Sequence, residues 1–235
     1  MDPGKYSPHH RQATVSLLFA TALLGCGFVF CHSAGSQSAT AESGPVDGAE
    51  ALELFLEKAN TVQAQFHQEL WDAEDRLVET AVGTLSLKRP NRFLWSYREP
   101  IEQLVIADGE RLWIYDVELA QVTVTPLDEP VAATPAMLLS GDQAVRDGFE
   151  ILESFDADDL SWVRLVPKLE GTDFRSVLIG FRNGNLARLE LVDGLDQVTR
   201  IEFSEVVINT ELADAFFEFL PPDGVDVIGG VATAG

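Results

Sequence analysis

Eleven short segments of this 235-residue chain alternate apolar and polar residues, most of them joined by only a few turn-forming residues. A period of two marks a strand with one face covered and the other wet. Val62, Ala64 and Phe66 alternate with Gln63, Gln65 and His67 in the first. Asp72-Ala-Glu-Asp75 then turns the chain into a second strand, over 77–88, with Leu85 and Leu87 on one face. Phe93, Trp95 and Tyr97 share a face of a third, and residues 104–107 make a fourth that ends at the Asp108-Gly109 turn. In a fifth, Leu112 and Ile114 point opposite to Trp113 and Tyr115; Val122 and Val124 mark a sixth. Five more follow over 149–155, 160–167, 174–182, 186–192 and 197–208, with Asn183-Gly184 as the strongest hairpin signal. Strands joined this tightly form an antiparallel meander, and so many of them curl into a barrel or half-barrel.

Helical spacing interrupts the alternation. Asp47-Gly-Ala-Glu50 reads as a capping box, and Leu52, Phe55, Leu56 and Ala59 line one face of the helix that follows, ending near Asn60. In mid-meander, Thr134-Pro135 is an N-cap with proline at the first helical position, and Ala136-Met137-Leu138-Leu139 continue it. Gly141 stops that turn, and residues 142–147 can form another. Two inserted apolar turns must bury their faces, and the concave side of the curled sheet is the place for them. A last short helix over 212–215 leads to Phe217, Phe219 and the Pro221-Pro222 stop.

Charge narrows the function. Lysine plus arginine number 16 against 38 aspartate plus glutamate, a formal net charge of −22. A nucleic-acid binder needs a basic footprint, as does a protein docked on anionic lipid through a polybasic patch; both are excluded. Residues 1–11 carry Lys5 and Arg11, an apolar run spans 13–31, and Ala34-Gly35-Ser36 offers a small-residue cleavage site before Gln37. We read residues 1–36 as a secretory signal; a retained membrane anchor is the alternative. Leu23-Leu24-Gly25-Cys26 also resembles a bacterial lipobox, and every one of these readings exports the protein. The same reading makes residues 37–46 a flexible linker, 47–228 one domain, and 229–235 a disordered tail, all as expectations from composition. Loss of 1–36 leaves the exported chain one unit more negative.

Export also removes chemistry. Cys26, Cys31, His9, His10 and His32 all lie in the leader, so His67 alone remains. A thiol nucleophile, a disulfide and a Cys/His zinc site are then impossible, and a Ser–His–acid triad would rest on His67. No phosphate loop, Gly-x-Ser-x-Gly elbow or EF-hand loop is present, and no cofactor is expected. What remains is apolar surface. Trp71, Trp95, Trp113 and Trp162 all sit on candidate strands. Singly each reads as core; together they read as a greasy pocket lidded by residues 134–147.

Lys88-Arg89-Pro90 leading into Phe93-x-Trp95 resembles the signature strand of the LolA family of periplasmic lipoprotein carriers. Asp108-Gly109, Leu112-Trp113-x-Tyr115-Asp116, Gln121-Val122 and Thr134-Pro135-x-x-Leu138-Leu139 follow in the same order. Leu165-x-Pro167, Asp193-x-Leu195 and Phe217-x-Phe219-x-Pro221-Pro222-x-Gly224-Val225-Asp226-Val227 complete a likeness covering about residues 48–228. The resemblance implies a mainly β chain with helices: an unclosed antiparallel β-barrel, or half-barrel, covered by short lid helices, the fold that LolA and LolB share. It implies a monomer, not an enzyme, that takes lipoprotein acyl chains from an inner-membrane ABC release complex. The cargo then crosses the periplasm to an outer-membrane receptor. Arg89 takes the role of a latch between strand and lid, its five fixed donors suited to free carbonyls at a helix C-terminus; the plain reading is a surface arginine before proline. Phe93, Trp95, Trp113, Met137, Leu138 and Leu139 are the cavity and lid residues, and Phe93 also helps to receive cargo. A lipidated Cys26 would instead suit a membrane-anchored receptor of the LolB type, and a secreted hydrolase is a third class. The acidity departs from what charge-matched partners would lead one to expect.

Overall fold

The strand that begins at Thr61 is the hub of the molecule, because the last long strand returns to pair beside it. The computed structural model describes residues 47–127, 135–140, 147–168 and 174–229. The leader, the lipobox-like Cys26, the linker, Thr134, residues 141–146 and the end of the tail lie outside them.

A helix, α1 (Gly48–Lys58), precedes six strands: β1 (Thr61–Trp71), β2 (Leu77–Lys88), β3 (Arg92–Glu99), β4 (Gln103–Asp108), β5 (Arg111–Asp116) and β6 (Gln121–Pro126). After α2 (Pro135–Ser140) come β7 (Phe149–Ala157), β8 (Leu160–Pro167), β9 (Phe174–Arg182), β10 (Asn185–Asp193) and β11 (Val198–Ile208). A 3-10 turn over Asp214–Phe217 and a short β12 (Asp226–Gly229) are the last elements among the described residues. The twelve strands among the described residues form one sheet, in the order β12-β6-β5-β4-β3-β2-β1-β11-β10-β9-β8-β7. Its end strands β12 and β7 do not pair, so the barrel is unclosed. Helices cover one face, which gives the expected half-barrel. Among the described residues no helix is long and apolar enough to cross a membrane.

Local chemistry accounts for the turns. Asp72 Oδ1 accepts from the backbone N–H groups of Glu74 (3.0 Å) and Arg76 (2.9 Å), closing the β1–β2 hairpin. Asn183 and Gly184 have φ of 52° and 77°, the left-handed pair that a tight two-residue hairpin requires. At the head of α1, Asp47 accepts from Ala49 N at 3.0 Å.

Two elements differ from the sequence reading. β12 is a twelfth strand that the sequence reading did not mark, at the end of the expected domain, and it runs parallel to β6 in an otherwise antiparallel sheet. Its four residues are all exposed, so no alternation betrays them. The final helix is a 3-10 turn two residues later than expected, placed so that Phe217 is buried.

Apolar packing divides by face. The inner cluster joins Leu52, Phe55 and Leu56 of α1 and Leu138 and Leu139 of α2 to Leu85, Phe93, Trp95, Ile179, Leu189 and Phe203 of the sheet. A second cluster, on the opposite face of β4–β6, gathers Ile106, Trp113, Val122 and Val124 under Phe219 and Val225 of the C-terminal segment. A third holds Leu160, Trp162 and Ala187.

Candidate functional site

α1 and α2 rest on different halves of the sheet. α1 packs on β7–β10, whereas α2 packs on β2 and β3. Arg89, in the turn between β2 and β3, lies at the seam between them. Its Nη2 donates to the carbonyl of Leu139, in the last turn of α2, at 2.8 Å. Its Nη1 donates to the carbonyls of Ala59 and Phe55 at the end of α1, the latter at 3.4 Å. The guanidinium carbon also sits 4.9 Å from the centre of the Phe55 ring. Helix-end carbonyls lack the i+4 donors of the helix interior, and the negative end of each helix dipole falls there; Phe55 O, which also accepts from Ala59 N at 3.0 Å, is shared. One cation thus serves two helix ends. Backbone bonds brace the same turn: Arg89 N donates to Asn60 O at 2.8 Å, and Asn91 N to Ser140 O at 3.4 Å.

Beneath this seam lie Phe93 and Trp95, 0% and 2% exposed. Cross-strand pairing puts Phe93 beside Leu87 and Ala107, and Trp95 beside Leu85 and Val105, all on the inner face. Leu138 and Leu139 of α2 are buried in the same cluster, and Met137 packs against it. Phe66 stacks tilted on Trp95 with ring centres 4.6 Å apart, and Phe203 meets Trp95 edge-on at 6.2 Å. Phe66 and Tyr97 also meet edge-on, at 5.3 Å. Gly83 leaves room for that pair, since a Cβ there would fall 2.6 Å from the Phe66 ring.

Trp113 is corrected. It belongs to the outer cluster, and its Nε1 donates to Asp108 Oδ2 at 2.8 Å. It lies one position from Leu112, which faces the interior, and an odd step along a strand reverses the face. Trp162 likewise packs in an outer cluster, with Phe155 and Ala187. Of the four tryptophans, Trp95 is the one in the inner cluster. His67 is exposed on the polar face of β1, level with Glu202 of β11.

Sequence reasoning left several inner-face groups without a role. Phe55 and Ala59 appeared there only as a helix face, yet their carbonyls receive Arg89. Phe66, Tyr97 and Phe203 complete the ring cluster; their alternation with polar neighbours was the available signal. Tyr97 donates its hydroxyl to Gln68 Oε1 at 3.2 Å. Burial pushes its phenol up to about 12, against the lowering effect of hydrogen bonding, so it stays neutral. Beside the end of α1 a groove of about 170 Å³ is lined by Leu54, Phe55, Ala59, Leu186 and Ile208 among others. The arrangement is an apolar interior under two helices that one half-buried cation holds together. Among the described residues no group of histidine, cysteine, aspartate and glutamate is placed to hold a metal.

Comparison with known proteins bears on this geometry. The family model described as "Outer membrane lipoprotein carrier protein LolA" matches residues 57–220. An outer-membrane lipoprotein carrier protein of Nitrosospira multiformis is 43% identical over 182 residues, spanning 77% of this chain and 88% of that one. One from Halorhodospira halophila is 43% identical over 189 residues, 80% of this chain and 87% of its own. A solved LolA superfamily protein from Nitrosomonas europaea superposes with a TM-score of 0.45 at 14% identity, covering 74% of this chain and 98% of that one.

Proposed function

Because this chain belongs to the LolA family of outer membrane lipoprotein carriers, we propose that it shields the acyl chains of lipoproteins released from the inner membrane and delivers them to an outer-membrane receptor. It works in the periplasm, exported by its leader, and catalyses no reaction. An inner-membrane ABC release complex loads it, and since the sequence holds no phosphate loop, the energy for loading comes from that partner. The LolB-type receptor reading is dropped, because the relatives carry the carrier's name.

The need for a carrier is physical. Each methylene exposed to water costs about 0.8 kcal/mol, so two or three long chains resist leaving a membrane by tens of kcal/mol. A soluble protein lowers that barrier only by offering apolar surface in exchange. Here the inner face offers Phe93, Trp95 and their neighbours, while Met137, Leu138 and Leu139 of α2 form part of the lid. In the closed state the protein's own helices occupy the inner face. Cargo therefore replaces one set of apolar contacts by another, which keeps the net affinity shallow enough for handover.

The bridge from Arg89 to both helix ends is the observation that carries this reading. A hydrogen bond to a charged group contributes about 1.5–3 kcal/mol, so the latch weights the closed state by several kcal/mol. Loading must break it. Release re-forms it, and that regained energy favours letting the cargo go. Arg89→Leu should accordingly load lipoprotein from inner-membrane vesicles yet fail to pass it to outer-membrane receptor. The readout is cargo on the carrier and in the acceptor membrane; transfer at the wild-type rate would sink the latch. Loss of loading in the wild-type protein would sink the carrier itself.

A further inference from the structure

One donor in the inner cluster is unserved. Trp71, Trp113 and Trp162 each donate their indole N–H, to Glu69 at 3.0 Å, Asp108 at 2.8 Å and the Ala157 carbonyl at 3.2 Å. Trp95, 2% exposed, has no acceptor for its Nε1 among the described residues. Nearly all buried polar groups find a partner, so an orphan in an otherwise apolar interior asks for a function. Its surroundings are the Phe66 and Phe203 rings and Tyr97. The Tyr97 ring centre lies 6.3 Å from that of Trp95, and the Tyr97 hydroxyl is not in hydrogen-bond geometry with the Trp95 N–H. That hydroxyl spends its own proton on Gln68.

We propose that Trp95 Nε1 is the docking point for an ester carbonyl of the bound lipid, a polar contact set within the apolar site. This rests on the carrier reading and adds a chemical preference to it. The chemistry selects an ester over its rivals. A carboxylate would bring an uncompensated charge into apolar surroundings. An amide would bring a second N–H needing an acceptor, and Gln68 Oε1 already receives Tyr97. An ester is an acceptor alone, matching a lone donor. The protein itself buries Trp95, so the indole N–H is already largely desolvated when the carbonyl arrives.

The test compares two probes on the exported protein: a synthetic lipopeptide with an S-diacylglyceryl cysteine, and its dialkyl-ether analogue of equal chain length. Wild type should bind the ester form about tenfold more tightly, the worth of one buried hydrogen bond. Trp95→Phe should lose the preference and bind the ester and ether forms with equal affinity, whatever its overall affinity for lipid. In wild type the Trp95 indole proton should also shift downfield on adding the ester and not the ether, a readout that needs no variant to fold. Equal binding of the two probes by wild type, or an ester preference that survives in Trp95→Phe, overturns the docking point while leaving the carrier intact. Failure of wild type to bind either lipopeptide overturns both.

Discussion

Asp108 shows how much one side chain can organise. Its Oδ1 accepts from Glu110 N and Arg111 N, both at 2.8 Å, and its Oδ2 accepts from Trp113 Nε1, tying the β4–β5 turn to the outer cluster. Burial pushes its carboxyl upward, but those three hydrogen bonds and the Arg111 charge outweigh it, and the result is lowered. A carboxylate held lower in the folded state than in the unfolded one stabilises at pH above its ordinary value, about 3.9. That contribution disappears as pH falls through the folded-state value. Asp108→Ala should cost about 1–3 kcal/mol at neutral pH, chiefly for the stranded indole N–H. Melting curves of both proteins should run apart by a constant gap above about pH 5, and that gap should narrow in acid as the charge-linked part is lost; a gap that widens in acid would contradict the assignment. Trp113 also marks where sequence reading stops at this scale. Alternation separated it from Leu112, but both faces of β4–β6 are covered, so parity alone does not say which is the interior. The carbonyl partners of Arg89 were legible only as a class: helix ends have free acceptors, but which ends meet at one turn depends on tertiary packing.

At the level of elements, the strands and α1 were readable because each sets its own period, and tight turns such as Asn183-Gly184 punctuate them. β12 was not readable, being four residues long and held by pairing to β6 instead of by a buried face. The docking of α1 was equally hidden. A Cβ at Gly48 would fall 2.1 Å from the Trp162 carbonyl oxygen, so only a glycine lets the first turn of α1 approach β8 this closely. Backbone, not a flexible side-chain tip, blocks the way. Gly48→Ala should therefore lift that end of α1 off the sheet, at about 1–3 kcal/mol as in other overpacked sites. Hydrogen exchange should rise across α1 while β1, β2 and β11 keep their protection. Unchanged α1 protection would mean that the helix reaches its seat some other way. The Asp47 cap is separable from this contact: Asp47→Ala should cost about 1 kcal/mol through fraying of the helix head, read as a lower melting temperature.

For the molecule as a whole, acidity and latch respond to different forces, and salt tells them apart. With 38 acidic against 16 basic residues, most carboxylates have no cation to pair with. The ion pairs among the described residues are largely exposed, such as Arg76 with Glu74 and Arg175 with Asp196, and each contributes little. Self-repulsion among the surplus then works against the compact state. At 10 mM salt the screening length is about 30 Å, comparable with a domain; at 0.15 M it is about 8 Å. Raising sodium chloride over that range should therefore raise the melting temperature by several degrees, a few degrees being worth about 1 kcal/mol in a domain of this size. A protein held by surface ion pairs would show the reverse. The Arg89 bridge behaves otherwise, because its acceptors are helix-end carbonyls at close range in a half-buried seam. The difference in melting temperature between wild type and Arg89→Leu should stay constant while both curves climb with salt. If that difference shrinks in step with screening, Arg89 is acting as one more surface cation in an acidic field, and the two helices are closed by their apolar faces alone.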